Sequence, residues 1–128
     1  MNSLINQRFN AIEEQLLQSA HVAYYQIIRK EMIALSGKIR LKVSFSNGDV
    51  AEFFEYVTVK NKAVQIEKYS FHWQTAQGEL KSRWDNAPHH LELPNAPHHK
   101  HNADLSVIGV GEKIDVFYAL KFIEQHDQ

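Results

Sequence analysis

An alternation of apolar and polar residues that begins at Lys38 constrains the fold more than any other feature of the sequence. Such alternation is typical of a β-strand with one buried face. The apolar members are Ile39, Leu41, Val43 and Phe45. Asn47-Gly48 follows, the dipeptide that a type I′ turn prefers at its two positive-φ positions, and a run rich in Val, Phe and Tyr continues over residues 50–60. The pattern predicts a β-hairpin.

The residues after this hairpin continue the strand pattern. Asn61-Lys62 predicts the next turn, and the apolar positions beyond it change parity near Glu67-Lys68, which predicts a β-bulge or a change of the buried face. A fourth strand ending near Asp85 and a short apolar run further along complete the set. We therefore expect an antiparallel meander of about four to five strands.

Helical spacing dominates the two ends of the chain. Apolar residues recur at steps of three and four before Gly37, with no proline or other glycine among them. This predicts a long helix over residues 3–36, about 50 Å in length at 1.5 Å per residue, or two helices with a break near Gln18-Ser19. A closing helix is predicted over residues 112–125. Helices flanking an antiparallel sheet define an α+β fold.

Length and composition narrow the class of protein. A chain of 128 residues fits one domain over residues 1–128, and the absence of cysteine excludes disulfides, thiolate metal sites and a cysteine nucleophile. No run approaches the roughly 20 apolar residues of a membrane helix, so we expect a cytoplasmic protein with no membrane contact. A net charge of −1 argues against broad wrapping of nucleic acid but leaves room for a local basic groove. The sequence has neither a Gly-rich phosphate loop nor a nucleophile elbow, which excludes the common nucleotide-binding enzymes and serine hydrolases.

Residues 83–101 hold all three prolines of the chain and five of its eight histidines. Because proline fixes φ, this segment should form an ordered loop, and ordered loops commonly carry functional sites. Its polar residues are therefore the candidates for a catalytic site. They are Arg83, Asp85, His89, His90, His98, His99, Lys100 and His101.

One chemistry for these residues is proton transfer at a phosphodiester. Two imidazoles at the ends of the loop can act as general base and general acid, because histidine titrates close to neutral pH. Arg83 or Lys100 can stabilise the charge that develops on the phosphoryl oxygens, and Asp85 can orient a histidine and fix its tautomer. This scheme requires no metal and no other cofactor.

The same histidines also suit a metal site. In an extended segment His99 and His101 point to the same side, and His89 can supply a third nitrogen. Such a set would hold a divalent metal such as zinc or manganese, for hydrolysis or for fold stability.

A non-enzymatic role is the third hypothesis. The predicted N-terminal helix carries an apolar line through Ile12, Leu16 and Ala20, which offers a surface for a partner protein or for a homodimer. The loop with the histidines would then be only a rigid part of the surface.

Three stretches resemble one known family. They are Tyr-Ser-Phe-His-Trp at residues 69–73, Arg-Trp-Asp-Asn-Ala-Pro-His-His at residues 83–90 and Pro-His-His-Lys-His at residues 97–101. Together they are similar to the TumE-like proteins, regarded as toxins of bacterial toxin–antitoxin pairs. The resemblance implies a bacterial cytoplasmic toxin with a cognate antitoxin, commonly one with a helix-turn-helix domain. It supplies no catalytic residues.

The predicted layout of helix and meander is also similar to RelE-like and related microbial ribonuclease folds, which by analogy indicates RNA as the substrate. The resulting hypothesis is a metal-independent ribonuclease toxin that uses histidine acid/base chemistry. A metal-dependent hydrolase with the same histidines and a protein-interaction module remain the alternatives.

Overall fold

Seven antiparallel strands in chain order form one sheet, and two helices accompany it. The computed structural model describes residues 3–88, 90–111 and 113–126. The elements are α1 (Leu4–Gln18), β1 (Val22–Ile33), β2 (Ser36–Phe45), β3 (Val50–Lys60), β4 (Ala63–Gln74), β5 (Leu80–Asp85), β6 (His99–Asn102), β7 (Val107–Gly109) and α2 (Val116–His126). The α+β class is confirmed. The expected count of four to five strands is too low, because β1 and the short β6 were not predicted as strands.

The predicted hairpin, the turn at Asn61-Lys62 and the bulge are confirmed, but the predicted type I′ turn at Asn47-Gly48 is wrong. Gly48 has a φ of 96° whereas Asn47 has no positive φ, because the turn closes one residue earlier, with the Gly48 N–H donating to the Phe45 carbonyl. The turn between β3 and β4 has Asn61 and Lys62 at φ values of 52° and 61°. The register slips where predicted, since Tyr56 pairs with Lys68 but the next residue of β3 pairs with Ile66. Glu67 is therefore the extra residue of a β-bulge.

The long N-terminal helix is wrong beyond Gln18. Helix α1 begins after Ser3, whose Oγ accepts a hydrogen bond from the Asn6 N–H at 3.0 Å, and it ends near the break that the sequence suggested. Residues 22–33 form β1 rather than a second helix. This stretch is rich in β-branched and aromatic residues, which favour an extended chain once a neighbouring strand is available, and β2 supplies that neighbour. In the described part of the chain, neither helix is long and apolar enough to cross a membrane.

The helices cover one face of the sheet and build the core with it. The buried residues of α1 are Ile5, Phe9, Ile12 and Leu16. They pack with the inward residues of β2, β3 and β4 and with the buried side of α2. Ile12 and Leu16 therefore belong to the core, and the proposed partner surface along that side of the helix is wrong.

The opposite face of the sheet has no helix on it among the described residues, and we call it the open face. The strand register places alternate residues of β2, β3, β4 and β5 there, with side chains that are basic, polar or aromatic. They include Lys38, Arg40, Lys42, Phe54, Tyr56, Ser70, His72 and Arg83. The open face carries the candidate site.

Candidate functional site

Strand pairing between β5 and β6 brings four predicted site residues together. Asp85 lies opposite His99 and Arg83 lies opposite His101, so all four share one face at the end of the sheet. The ring of His90, in the preceding loop, comes to 5.2 Å from the ring of His99. We call Asp85, His90, His99 and His101 the histidine cluster.

His99 is buried inside this cluster, with 1% of its surface exposed. Its Nδ1 lies 2.9 Å from the Pro97 carbonyl oxygen, which can only accept, so Nδ1 carries the proton. Nε2 of the neutral ring is then an unprotonated acceptor. It lies 3.0 Å from Oδ1 of Asp85, another acceptor, and no described residue makes a well-directed hydrogen bond to it. The contact therefore needs a proton or a cation between the two atoms.

Asp85 is the acidic centre of the cluster and is also buried. Its Oδ1 accepts the Ala87 N–H at 3.1 Å, and its Oδ2 lies 3.2 Å from the Arg83 Nε and 3.8 Å from the His101 Nε2. The carboxylate is thus surrounded by nitrogen atoms. Its contact with His101 is too long for a hydrogen bond, so the orienting role of Asp85 stays a prediction, and the tautomer of His99 is set by Pro97.

His101 is the member of the cluster that pairs with Arg83 at the open face. Its side chain is 28% exposed, and its ring lies 5.0 Å from that of His99 and 5.9 Å from that of His90. Partial burial lowers the pKa of His101 and outweighs the opposing effect of Asp85. The ring is therefore neutral at neutral pH and able to accept a proton. His90 has a φ of 54°, a region that non-glycine residues seldom adopt.

The other predicted residues lie elsewhere. His98 is on the helix side of the sheet, where its Nδ1 is 3.0 Å from the Tyr69 hydroxyl. Lys100 also points to that side, with its Nζ 4.1 Å from the ring centre of Phe122. Adjacent residues of a strand alternate between faces, which separates both from His99 and His101. His89 lies outside the described residues.

Two grooves on the open face meet beside the cluster. A groove of about 430 Å³ is lined in part by Arg40, Lys42, His72 and Arg83. A second, of about 270 Å³, is lined by Phe54, Lys68, Ser70, Arg83, Asp85 and Pro88, among others. Arg83 lines both. A long polymer bound along the open face would therefore pass the cluster at Arg83.

Aromatic rings and cations are interleaved on this surface. The Arg40 guanidinium lies 4.5 Å from the ring centre of Phe54, and the Lys38 Nζ lies 5.4 Å from that of Tyr56. Burial and the nearby Arg83 lower the pKa of His72. Phe54, Tyr56 and His72 were not among the site residues predicted from the sequence. Alternation along their strands could have indicated that they share a face with Arg83, but only if the pairing register of β3, β4 and β5 had been known.

Three members of the cluster also have the arrangement of metal ligands. One atom each from Asp85, His99 and His101 lies within 4.8 Å of the others. A carboxylate and two imidazoles are a usual donor set for zinc and for several other divalent metals. The predicted ligands were His89, His99 and His101, and this set has Asp85 instead of His89.

Comparison with known proteins identifies one family. A family model described as Toxin TumE matches residues 12–125, which include β1 to β7 and all but the last residue of α2. No curated protein and no solved structure shows a significant match to the chain.

Proposed function

The chain belongs to the TumE toxin family, and we propose that it acts as a toxin by cleaving RNA at the histidine cluster. The observation that carries this proposal is the meeting of two grooves at Arg83, next to His101 and Asp85. Groups able to bind phosphate, stabilise charge and move protons are thus adjacent. The resemblance to RelE-like folds stays an analogy.

The chemistry that suits these groups is an internal transesterification without metal. His101 accepts the proton of a ribose 2′-hydroxyl, whose oxygen attacks the adjacent phosphorus. The P–O5′ bond breaks, and His90 donates a proton to the leaving oxygen, which leaves a 2′,3′-cyclic phosphate and a 5′-hydroxyl. Arg83 stabilises the charge on the phosphoryl oxygens, and Asp85 orients the imidazolium of His101. No redox step is involved.

RNA as substrate is supported by the open face. Lys38 and Lys42 offer positive charge along β2, on either side of Arg40, which is paired with Glu52, despite the net charge of −1 for the whole chain. Phe54 and Tyr56 stand next to these cations, where unpaired bases can stack on aromatic rings. Folded proteins that recognise unpaired RNA commonly combine these two features.

The test is cleavage of an end-labelled single-stranded RNA by purified protein. His101→Ala should lower the cleavage rate by about 10²–10⁴-fold, as expected for loss of a general base. His98→Ala is the matched control, since it removes a neighbouring imidazole from the other face of the sheet and should leave the rate within about twofold. A DNA of the same sequence should not be cut, because it lacks the 2′-hydroxyl. A folded His101→Ala protein with full activity would overturn the proposal.

A second candidate function is metal-dependent hydrolysis, and the buried Nε2 of His99 favours it. This atom and the Asp85 carboxylate face each other as two acceptors, and a divalent cation between them would satisfy both. His101 would be the third ligand. In this scheme Asp85 is a ligand rather than an orienting group, and His101 no longer acts as a base.

Metal analysis of protein purified without an affinity tag separates the two candidates. The metal hypothesis predicts about one zinc or manganese per chain and a melting temperature that falls on addition of a chelator. Asp85→Asn should lower the metal content. If metal-free protein keeps its stability and still cleaves RNA, the metal hypothesis is wrong and the transesterification scheme stands. If a chelator abolishes cleavage, the metal-dependent scheme replaces transesterification.

The family also implies an antitoxin partner. We propose that this partner carries a helix-turn-helix domain and that the pair acts in the cytoplasm, where the RNA substrate is found. Co-expression with the product of a neighbouring gene should relieve growth arrest caused by the wild-type chain. Arrest that persists with His101→Ala, at equal protein level, would show that toxicity does not depend on the cluster.

A further inference from the structure

Strand β1 is a long sheet edge with one side unpaired. Among the described residues it pairs with β2 alone, so the backbone N–H and C=O groups of its second side face no strand. It has 12 residues, whereas β7 at the other edge has three. Folded proteins usually keep edges short or protected, because a free edge is a template for another strand.

The side chains of this edge are unusually apolar for an exposed strand. Ile28, Met32 and Ile33 are exposed by 55%, 45% and 74%, and further large apolar side chains lie exposed nearby. The further residues are Leu17, Tyr24, Ile27 and Leu35. So many exposed large apolar side chains at one sheet edge are typical of an interface.

We propose that β1 pairs antiparallel with β1 of a second copy, with Lys30 on the two-fold axis. In this register Arg29 lies opposite Glu31 of the second copy, and Ile28, which lies at the β-bulge between Ile27 and Arg29, comes near Met32. The symmetry repeats each pair on the other side of the axis. Opposite charges and apolar side chains that face each other across strands both stabilise a sheet.

The self-complementarity of this stretch is the reason to choose a second copy as the occupant. Arg29 and Glu31 pair within the chain at 2.9 Å, and both are about half exposed, so they can exchange partners across the axis. Lys30 would meet its own copy there, but its Nζ already contacts Glu13 of α1 at 3.0 Å. The two Lys30 side chains at the axis therefore each have a Glu13 carboxylate that balances their charge.

Strand parity supports the same register. Arg29 and Glu31 pair with Arg40 and Lys38 of β2, which places both on the open face. Residues directly opposite in an antiparallel pair lie on the same face, so the two ion pairs form together on one side of the extended sheet. The proposal does not depend on the proposed nuclease activity.

Sedimentation and light scattering of the full chain over a concentration series test the proposal. Wild type should reach about twice the chain mass of 14.8 kDa. Arg29→Glu places like charges opposite each other at two positions and should raise the dimer dissociation constant by about tenfold or more, as should Glu31→Arg. Leu105→Lys, a change at an exposed apolar residue outside β1, is the matched control and should not affect the mass.

A mixture of the two charge variants gives the decisive result. Each variant alone has lost its internal Arg29–Glu31 pair and repels its own copy. One chain with two glutamates and one with two arginines are complementary in the proposed register, so the mixture should form a heterodimer. Wild type that stays monomeric at all concentrations would overturn the proposal, and so would a dimer insensitive to both variants. Pairing of β1 with a different protein, without self-association, would also overturn it.

Discussion

Arg8 is the cation of a buried ion pair, and its replacement should strongly destabilise the fold. Its partner Glu55, on the helix side of β3, is fully buried. The two carboxylate oxygens of Glu55 accept the Arg8 Nε–H and Nη2–H at 2.8 Å each, and one also accepts the Val116 N–H at 3.0 Å. The carboxylate thus joins α1, β3 and the start of α2.

Arg8→Leu would leave this carboxylate buried without its cation. Breaking a buried ion pair at one partner costs about 3–5 kcal/mol, and the 18% exposure of the Arg8 side chain places the expected loss near the lower end. Such a loss is a large part of a typical unfolding free energy of about 5–15 kcal/mol. At about 2.1 cal/mol/K of unfolding entropy per residue, 3 kcal/mol corresponds to a fall of about 10 °C in melting temperature.

Urea unfolding followed by tryptophan fluorescence measures this loss, because Trp73 and Trp84 are both buried and report on core exposure. Glu52→Gln is the control, since it breaks the exposed Arg40–Glu52 pair and should cost less than about 1 kcal/mol. A loss for Arg8→Leu no larger than that of the control would refute the argument.

Three further changes test other parts of the fold. Burial tends to raise the pKa of Asp49, but hydrogen bonds, above all the one from Lys81, hold this pKa below its usual range. The unfolding free energy should therefore fall as the pH drops through the lowered pKa. In acid unfolding curves, Asp49→Asn should weaken this pH dependence. Gly37→Ala would place a Cβ 2.8 Å from the Ile5 Cγ2 and should cost about 1–3 kcal/mol in urea unfolding. Lys62→Gly creates the preferred Asn-Gly pair of a type I′ turn and should raise the melting temperature slightly.

The sheet was predictable from the sequence wherever one face is buried and the other is exposed. Alternation then follows strand parity directly, which is why β2, β3 and β4 and the bulge at Glu67 were found. β1 lacks this signal because most of its residues are exposed on both faces. Its apolar spacing fits a helix equally well, and only the pairing with β2 decides between the two.

The residue types of the candidate site could be predicted, but not the strand that positions them. The histidines and Asp85 stood out by composition, and alternation in an extended segment already placed His99 and His101 on one side. The pairing of β6 with β5 could not be predicted, because a four-residue strand leaves no periodic pattern. Glu55 was missed because a carboxylate in an apolar strand is recognisable as a core residue only when its partner Arg8 is located.

The order of the strands keeps the proposed dimer edge and the histidine cluster apart. Four strand spacings separate β1 from β5, about 19 Å at 4.8 Å per strand before twist is considered. In the proposed dimer the open faces of both copies lie on one side, and the two clusters are about 40 Å apart. An RNA too short to reach both clusters should be cut equally fast by wild type and by Met32→Glu, which puts a charge into the apolar part of the dimer edge on the helix side of the sheet and leaves the open face unchanged. A longer RNA that contacts both open faces should bind the variant more weakly, and filter-binding affinities measured against RNA length would expose that difference. Equal affinities at every length would mean that the two open faces do not act as one surface.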